Sequence, residues 1–376
     1  MSREIRILHT SDLHLDASFR ATGVPSARAR ERCAAHLEAF DRIVEMAERV
    51  GAHILAVAGD LFEGAHARPA TARHVAKKLE AWGRPVYIAP GNHDPIRAPS
   101  AYDLAEWPAN VTVFASEWSV RHVPELGLTV HGRGFTAPEE HARLVEGLEI
   151  SGEATHVVVA HGSDESCRPD RHHPYRPFVP EELDALPVAY VALGHYHGFS
   201  ILPTPRVRAV YCGSPIPQGF NESGEHGVVL ARLRDGDVEV ELLPIPARRF
   251  VTVEVDVGGA DTQAEVVECL REDIRARDLH EDFLRLRLTG SLPPDLEVDP
   301  GAVREALAEL AHAVEVHDGT FPEYDLDALG AEGTVRGQFV RKLGARLETA
   351  TGEEREVVQR AIYFGLDAFA GRPQAR

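Results

Sequence analysis

The chain has 376 residues, of which 44% are hydrophobic and 26% charged, and its formal net charge is −19 at pH 7. This length fits one large domain with a smaller one, and the composition is that of an ordinary globular protein. The acidic balance argues against a protein that coats nucleic acid through bulk electrostatics, because such binding depends on lysine and arginine neutralising phosphates. It leaves room for a nucleic-acid enzyme in which bound cations or a partner supply positive charge.

No membrane segment or secretory signal is expected. No run reaches the ~18 consecutive apolar residues that a membrane helix needs, and residues 1–12 lack the apolar core of a signal peptide. The cysteines form no C-x-x-C pair, which argues against a disulfide framework and against a thiolate zinc site. We therefore expect a cytoplasmic protein.

The first two thirds of the chain alternate strands with helices. Apolar runs predict strands at 5–8, 53–58, 85–89, 155–160 and 188–193, and periodic apolar residues predict helices over 27–50 and 69–82. Three later strands are predicted at 207–212, 227–233 and 238–243. This order is typical of an α/β domain that becomes richer in strands towards residue 245.

A second region is predicted after a break at 244–249. Alternating apolar residues predict strands at 250–257, 283–288 and 313–317, separated by helices over 264–275 and 300–311. From Thr334 onward, apolar residues spaced by four predict two amphipathic helices. We therefore divide the chain into residues 1–246, 247–320 and 321–376.

Ligand-type residues directly follow five of the predicted strands. Sites in open α/β folds lie at the carboxyl ends of strands, so these residues are expected to meet at one edge. A Gly-Asp turn or a single histidine would mean little alone, but the joint occurrence predicts a metal site. The residues are Asp12 and His14, Asp60, Asn92 with His93 and Asp94, His161, and His195 with His197.

The ligand types restrict the kind of metal. Carboxylate, amide oxygen and imidazole suit Mn²⁺, Fe²⁺ or Zn²⁺, and the absence of cysteine disfavours a structural zinc site. One carboxylate can bridge two cations about 3.5–4 Å apart, which then clamp a phosphoryl group and lower the pKa of a shared water. The residues therefore predict a two-metal hydrolase of phosphate esters.

These segments resemble the calcineurin-like metallophosphoesterase superfamily over residues 5–245. Within it, the stretches YVALGHYH at 190–197 and GSPIPQGFNE at 213–222 resemble the nuclease subunit of the bacterial SbcCD complex and the Mre-type DNA repair exonucleases. The resemblance implies a two-sheet α/β sandwich flanked by helices, a small α+β capping domain over 247–320 and a helical C-terminal segment over 321–376.

The resemblance also implies roles for individual residues. His93 would face the substrate and stabilise or protonate the departing 3′ oxygen, and Asp94 would orient His93 through a hydrogen bond. The nucleophile would be a metal-bound hydroxide. One metal, most simply Mn²⁺, would be held by Asp12, His14 and His197, the other by Asn92, His161 and His195, with Asp60 bridging them.

The partners that the resemblance implies are DNA, a second copy of the chain and an SbcC-like ABC-type ATPase with a long coiled coil. The C-terminal helices are candidates for docking the ATPase, although such helices usually pack on their own domain. Glu63 places an acidic side chain near the expected DNA path, and Tyr196 would border the substrate. The basic loop over 168–176 is either a phosphate contact or a solvated loop; its residues are Arg168, Arg171, His172, His173 and Arg176.

Three functions follow from these observations. The first is a DNA exonuclease or endonuclease that works with an ATPase, and the second is a stand-alone phosphatase or phosphodiesterase on a small nucleotide-type substrate. The third is a scaffold subunit without activity, which the presence of every ligand residue and of His93 disfavours. The acidic charge favours the second function, but the capping domain, the C-terminal helices and the 213–222 stretch lead us to prefer the first.

Overall fold

The computed structural model describes residues 4–18, 26–167, 174–222 and 224–371, without the side chains of residues 26–29. The chain divides into two compact units, Met1–Ala247 and Arg248–Arg376. Among the described helices, none combines the length and the apolar character required to cross a bilayer.

The first unit contains twelve strands and three α-helices in the described residues. The helices are α1 (Ser26–Arg49), α2 (Pro69–Trp82) and α3 (Pro180–Asp184). The strands are β1 (Ile5–Thr10), β2 (Ile54–Val57), β3 (Val86–Ile88), β4 (Val111–Val113), β5 (Ser119–Val123), β6 (Leu128–Gly132), β7 (Thr155–His161), β8 (Tyr190–Gly194), β9 (Ser200–Ile201), β10 (Arg208–Tyr211), β11 (Gly227–Arg234) and β12 (Asp237–Pro244).

These strands form two six-stranded sheets, with the orders β12-β11-β1-β2-β3-β4 and β5-β6-β7-β8-β10-β9. In the first sheet β1 to β4 are parallel, and β11 and β12 add an antiparallel edge. In the second sheet β6, β7, β8 and β10 are parallel, whereas β5 and β9 run antiparallel at the two edges. The carboxyl ends of parallel strands lie on the same side of a sheet. The residues that follow these strands therefore lie close together there.

The alternation of side chains along β2 explains how the first sheet is buried on both faces. Ile54 and Ala56 face the core between the two sheets, and Leu55 and Val57 face a second core formed with α1 and α2. The same alternation places Val157 and Val159 of β7 between the sheets and Val158 and Ala160 on the outer face, with Leu183 of α3. The predicted two-sheet α/β sandwich flanked by helices is therefore confirmed.

The strands β4 to β6 and β9 were not predicted, because they lack a long apolar run. β5 exposes Arg121 and His122 at the edge of its sheet, and β4 is only three residues long. Hydrophobic patterning identifies buried central strands far better than short or exposed edge strands.

The second unit begins with a three-stranded parallel sheet whose strands are connected through helices. The leucines of its central strand at 284, 286 and 288 are fully buried against the helices. The elements are β13 (Phe250–Asp256), α4 (Gln263–Ala276), β14 (Phe283–Thr289), β15 (Ser291–Leu292), α5 (Pro300–Ala306), β16 (Ala313–Asp318) and β17 (Phe321–Pro322).

The helix predicted over 300–311 is too long, since α5 ends at Ala306. Leu307 and Ala311 are buried as the helical spacing suggested, but they reach the core from turns that lead into β16. An apolar spacing alone does not distinguish a helix from a turn that packs on the same core.

The last part of the second unit is helical, with α6 (Leu326–Ala331), α7 (Val335–Thr349) and α8 (Gly352–Phe369). The predicted apolar rows of α7 and α8 face each other in part. Val358, Ile362 and Leu366 are buried in one cluster, and Phe339, Leu343 and Leu347 pack against it. Val335 and Phe369, at the outer ends of the rows, are 73% and 47% exposed. These rows therefore pack on their own unit, which was one of the two alternatives for this segment.

Candidate metal centre

All seven predicted metal-ligand residues lie at the carboxyl ends of strands in the two sheets. Four of them have a backbone in the left-handed region, with φ of 53° at Asp12, 45° at His14, 51° at Asp60 and 115° at His195. Such strain is uncommon for residues other than glycine and gathers at functional sites. The backbone is held by bonds from Asp12 N to Gly59 O at 3.0 Å and from His14 N to Asp60 O at 2.9 Å.

Two glycines permit the close approach of the strand ends. A Cβ atom on Gly59, whose φ is 94°, would lie 2.2 Å from His161 Nδ1, and a Cβ atom on Gly91 would lie 2.2 Å from Asp60 Oδ1. The glycines that precede Asp60 and Asn92 are therefore required by the site, in addition to any turn they make.

The two sheets bring the seven side chains together around Asp60. His14 Nε2 lies 3.7 Å and His161 Nε2 lies 3.3 Å from Asp60 Oδ2, so one carboxylate oxygen is near both histidines. His197 Nε2 lies 3.9 Å from Asp12 Oδ1. Asn92 Oδ1 lies 3.0 Å from His161 Nε2 and 3.2 Å from His195 Nδ1.

Three groups of ligand atoms overlap at this centre. Asp12, His14 and His197 each offer one atom within 4.8 Å of the others, and so do Asp12, Asp60 and His161. The third group is His14, Asp60 and His93. The first group is one of the ligand sets that the family resemblance implied, whereas the second combines His161 with both carboxylates. Several donor atoms thus point at a common space between the sheets.

The residues present fit divalent cations. His14 Nε2 is a buried nitrogen that has no hydrogen-bond partner within the described structure, and a bound cation would satisfy its lone pair. The outer nitrogens of the histidines are already engaged: His14 Nδ1 with Glu63 at 3.2 Å, His197 Nδ1 with Glu222 at 2.6 Å, and His161 Nδ1 with Ala58 O at 2.8 Å. Such outer bonds fix the tautomer that presents the inner nitrogen to a metal.

The electrostatics of the centre agree with a ligand role. Burial raises the pKa of Asp60, but the neighbouring imidazoles, His161 foremost, outweigh burial and hold that pKa well below its ordinary value. Burial, with a smaller contribution from His161, lowers the pKa of His195 to about 3. Asp60 and His195 thus have the protonation states that metal binding requires. Against the effect of burial, the charge of Asp60 raises the pKa of His161, and the hydrogen bond to Glu222 raises that of His197 to about 9. Cation binding would therefore displace a proton from these two imidazoles.

His93 stands at the exposed side of the centre, with its side chain 45% exposed. Its Nδ1 lies 3.1 and 3.2 Å from the two carboxylate oxygens of Glu63, and its ring packs edge-on against His14. Burial lowers the pKa of His93, but the hydrogen bond to Glu63 and the charge of Asp60 outweigh this effect and raise it to about 9. His93 is therefore oriented by Glu63.

The prediction that Asp94 orients His93 through a hydrogen bond is wrong. The carboxylate of Asp94 is buried and accepts bonds from Gly91 N at 2.7 Å, from Phe62 N at 3.1 Å and from the Tyr102 hydroxyl at 2.6 Å. Asp94 turns back into its own loop, so it fixes the backbone on either side of the centre while its neighbour His93 points outward.

Sequence reasoning missed the partner roles of Glu63 and Glu222. The sequence indicates Glu63 only as an acidic side chain near the expected DNA path, and Glu222 only as the last residue of the 213–222 stretch. The position of Glu63 three residues after Asp60 was a usable signal, since both belong to one strand-end segment. No local pattern marks Tyr102 as the partner of Asp94.

Of the five residues named in the basic loop, the structure describes only Arg176. Arg168, Arg171, His172 and His173 lie outside the described residues. Arg176 is 1% exposed, pairs with Glu140 at 2.5 Å and packs over the ring of Phe135. Neither the phosphate-contact nor the solvated interpretation holds for Arg176, since its charge is neutralised inside the unit.

Tyr196 packs beside the candidate ligand His195. Its ring lies 5.3 Å from that of His195, measured between centroids, and its hydroxyl donates to Asp164 O at 2.9 Å. The side chain is therefore fixed in place beside a candidate ligand.

The chain is similar to several known proteins. A family model described as calcineurin-like phosphoesterase matches residues 5–199. The chain is 27% identical to the uncharacterized metallophosphoesterase YhaO of Bacillus subtilis, over 97% of this chain and 86% of that protein. It is 27% identical to the DNA double-strand break repair protein Mre11 of Methanopyrus kandleri, over 89% and 77% of the two chains. It is 26% identical to the SbcD component of the SbcCD nuclease of Escherichia coli K12, over 66% and 70%.

Proposed function

The chain belongs to the calcineurin-like phosphoesterase family, and we propose that it is a two-metal phosphodiesterase that cleaves DNA as the nuclease subunit of an SbcCD-like repair complex. The observation that carries this proposal is the convergence of seven ligand-type side chains and His93 at one edge of the two sheets. All the residues that the chemistry needs are present, which argues against a scaffold without activity.

The proposed ligand sets are those that the family resemblance implies. Asp12, His14 and His197 would hold one cation, Asn92, His161 and His195 would hold the other, and the carboxylate of Asp60 would serve both. When bound, the cations, which we propose to be Mn²⁺, with Fe²⁺ or Zn²⁺ having similar ligand preferences, neutralise the phosphate and lower the pKa of the attacking water.

His93 is proposed to protonate the departing 3′ oxygen. Its Nδ1 is engaged by Glu63, which leaves Nε2 for the substrate on a half-exposed ring. In the metal-free protein the hydrogen bond to Glu63 outweighs burial and raises the pKa of His93 to about 9, which favours the protonated imidazole that a general acid needs. Glu63 acts by keeping the ring in position, and Asp94 by holding the turn that carries Asn92.

DNA as the substrate is supported by the relatives. Two of them are named as a DNA double-strand break repair protein and as part of a nuclease, and the first is similar over 89% of this chain. The second candidate, a stand-alone enzyme acting on a small nucleotide-type ester, is favoured by the net charge of −19 and by the carboxylate of Glu63 beside His93. We prefer the nuclease, because an ATPase partner or the bound cations can offset acidic charge locally.

The partners are proposed on the same basis. The nuclease would form a homodimer and would work with an SbcC-like coiled-coil ABC ATPase that docks on the C-terminal helices. The capping role of residues 247–320 and the cytoplasmic location remain predictions from the sequence.

The deciding experiment compares two substrates under identical conditions. Purified protein with Mn²⁺ is given end-labelled duplex DNA and, separately, bis-(p-nitrophenyl) phosphate. We expect both to be hydrolysed, and both activities to be lost in Asp60→Asn and retained in Asp237→Asn, a control at an exposed aspartate far along the chain. Cleavage of the small ester alone would exclude the nuclease and favour the second candidate.

A further inference from the structure

Glu222, at the end of the 213–222 segment, is tied to one of the candidate ligands. Its Oε1 lies 2.6 Å from His197 Nδ1, and its side chain is only 15% exposed. The other oxygen, Oε2, accepts bonds from Ser214 Oγ and from Gln218 N, both at 2.9 Å. The carboxylate is therefore held from two sides and cannot swing away from His197 without losing these bonds.

The same segment also reaches Asp12. Gln218 Nε2 donates to Asp12 O at 3.0 Å, and the carbonyl oxygen of Gln218 accepts from the buried guanidinium of Arg32 in α1. Ser214 N donates to His197 O at 3.0 Å. The segment is thus bonded to both residues whose side chains approach each other at 3.9 Å, His197 Nε2 and Asp12 Oδ1.

The hydrogen bonds of Ser214, Gln218 and Glu222 lie on one side of the centre. None of the hydrogen bonds that Ser214, Gln218 and Glu222 make in the described structure ends on Asn92, His161 or His195. Among these three residues on the other side of the centre, His161 has its outer nitrogen, Nδ1, hydrogen-bonded to a neutral carbonyl, Ala58 O, at 2.8 Å.

The difference between the two supports has a chemical consequence. A carboxylate that accepts the Nδ1–H of an imidazole fixes the tautomer and makes the inner nitrogen a stronger ligand than a neutral carbonyl does. Outer partners of this kind change metal affinity by about 10- to 100-fold. The support by Glu222 acts on His197 and does not extend to His161.

We propose that Glu222 is a positioning residue that aims His197 at the cation held with Asp12 and His14, so that the 213–222 segment controls one of the two cation sites and leaves the other unaffected. This inference rests on the proposed two-metal function. It assigns a role to a stretch whose prolines and glycines would look the same in a purely structural loop.

The test measures cation binding and needs no turnover. Metal-stripped protein is titrated with Mn²⁺ alone by isothermal titration calorimetry. In Glu222→Gln, which keeps the size of the side chain and removes its charge, we expect one of the two binding events to weaken by about 10- to 100-fold and the other to stay unchanged. Glu225→Gln, at an exposed glutamate three residues further on, serves as the matched control and should titrate like the wild type.

A milder variant guards against a general loss of structure. Ser214→Ala removes one donor to Glu222, and it should weaken the same event by a smaller factor, with the unfolding temperature of the metal-free protein unchanged. Equal weakening of both events, or no change in either, would overturn the positioning role. A wild-type protein that takes up fewer than two Mn²⁺ ions would instead refute the proposed function, and the inference would fall with it.

Discussion

His93 is the residue on which the proposed chemistry depends most directly, because its ring, 45% exposed, lies at the open side of the centre. Its ring is held from behind by Glu63, and it also lies within ligand distance of His14 and Asp60. Its position is compatible with two roles, that of a proton donor and that of a further metal ligand. Substitution of His93 distinguishes these roles, because only the loss of a ligand would weaken cation binding.

We expect His93→Ala to lower the turnover of a phosphodiester by about 10²- to 10⁴-fold, the usual contribution of a general acid, while Mn²⁺ binding persists. Turnover of bis-(p-nitrophenyl) phosphate and calorimetric titration check the two parts. His66→Ala, at an exposed histidine in the same region, should behave as the wild type. Loss of a bound cation would make His93 a ligand, and unchanged turnover would remove it from the mechanism.

Glu63 sets both the orientation and the charge of His93. Burial raises the pKa of Glu63, but its bonds to His14 and His93 outweigh burial and lower that pKa to about 2, so the carboxylate stays charged in any ordinary buffer. Glu63→Gln removes the charge that helps raise the pKa of His93. We expect lower turnover and an alkaline limb of the pH–rate profile that moves to lower pH, because the weaker proton donor is lost sooner. A limb that moves upward or stays in place would exclude this role for Glu63.

At the scale of elements, His9 of β1 connects the two sheets of the first unit. Its Nδ1 lies 2.9 Å from the Tyr190 hydroxyl of β8, and burial lowers the pKa of His9 to about 3, against smaller opposing effects of Leu193 and Asp12. The unfolded chain binds a proton at His9 below its ordinary pKa of 6.5, whereas the folded chain does not until about pH 3. The unfolded state thus gains protons in this window, and stability falls as the pH is lowered through it.

We therefore expect the stability advantage of the wild type over His9→Gln to shrink by about 2 kcal/mol between pH 7 and pH 5. Urea unfolding at both pH values measures this difference, and the substitution keeps a polar side chain next to Tyr190. Tyr190→Phe, which removes the hydroxyl but leaves His9 titratable, should retain the pH dependence. A difference between wild type and His9→Gln that is independent of pH would show that His9 is not buried in its neutral form.

The elements that the sequence predicts well are those with local signals at both ends. The helix α2 matches its prediction at both ends, because Pro69 suits the first turn and Gly83 ends the helix with a φ of 71°. The central strands were found from their apolar runs, and the ligands followed because parallel strands share one end. The metal-ligand candidates were therefore predictable as a group from strand ends alone.

The partners of those ligands were not predictable in the same way. Asp94 and Glu63 are both close to His93 in the fold, and the choice between them depends on the directions of side chains in two loops, which hydrophobic patterning does not encode. The role of Glu222 was equally unpredictable, because its bond to His197 joins residues 25 positions apart. Arg176 looked like part of a solvated basic loop because its partner Glu140 lies 36 positions earlier.

At the scale of the whole molecule, the net charge of −19 sets the conditions for DNA binding. A chain this acidic gains little from the release of counterions that drives most nucleic-acid binding. A partner protein with a basic surface would supply what the chain itself lacks, so the question of substrate becomes in part a question of how the partner is bound.

The C-terminal helices leave a second apolar row uncovered in the second unit. Val357 and Phe364 of α8 are 65% and 46% exposed, and they lie seven residues apart on one face. Ile362 and Leu366 face the opposite side and are buried with α7. The buried row stabilises the unit itself, and the exposed row is the part that remains for a partner.

We expect the double substitution Val357→Ser and Phe364→Ser to abolish recovery of the coiled-coil ATPase in a pull-down, while the unfolding temperature of the chain changes little because both side chains are already exposed. The double substitution tests docking more directly than deletion of residues 334–376 does. The deletion would also remove the buried apolar row and expose the side chains that pack against it. Val120→Ser, at a 37% exposed valine of β5 in the other unit, is the matched control and should leave recovery unchanged. Equal recovery of the ATPase by the double variant and the wild type would show that the exposed row of α8 takes no part in docking, and the partner would then have to bind elsewhere.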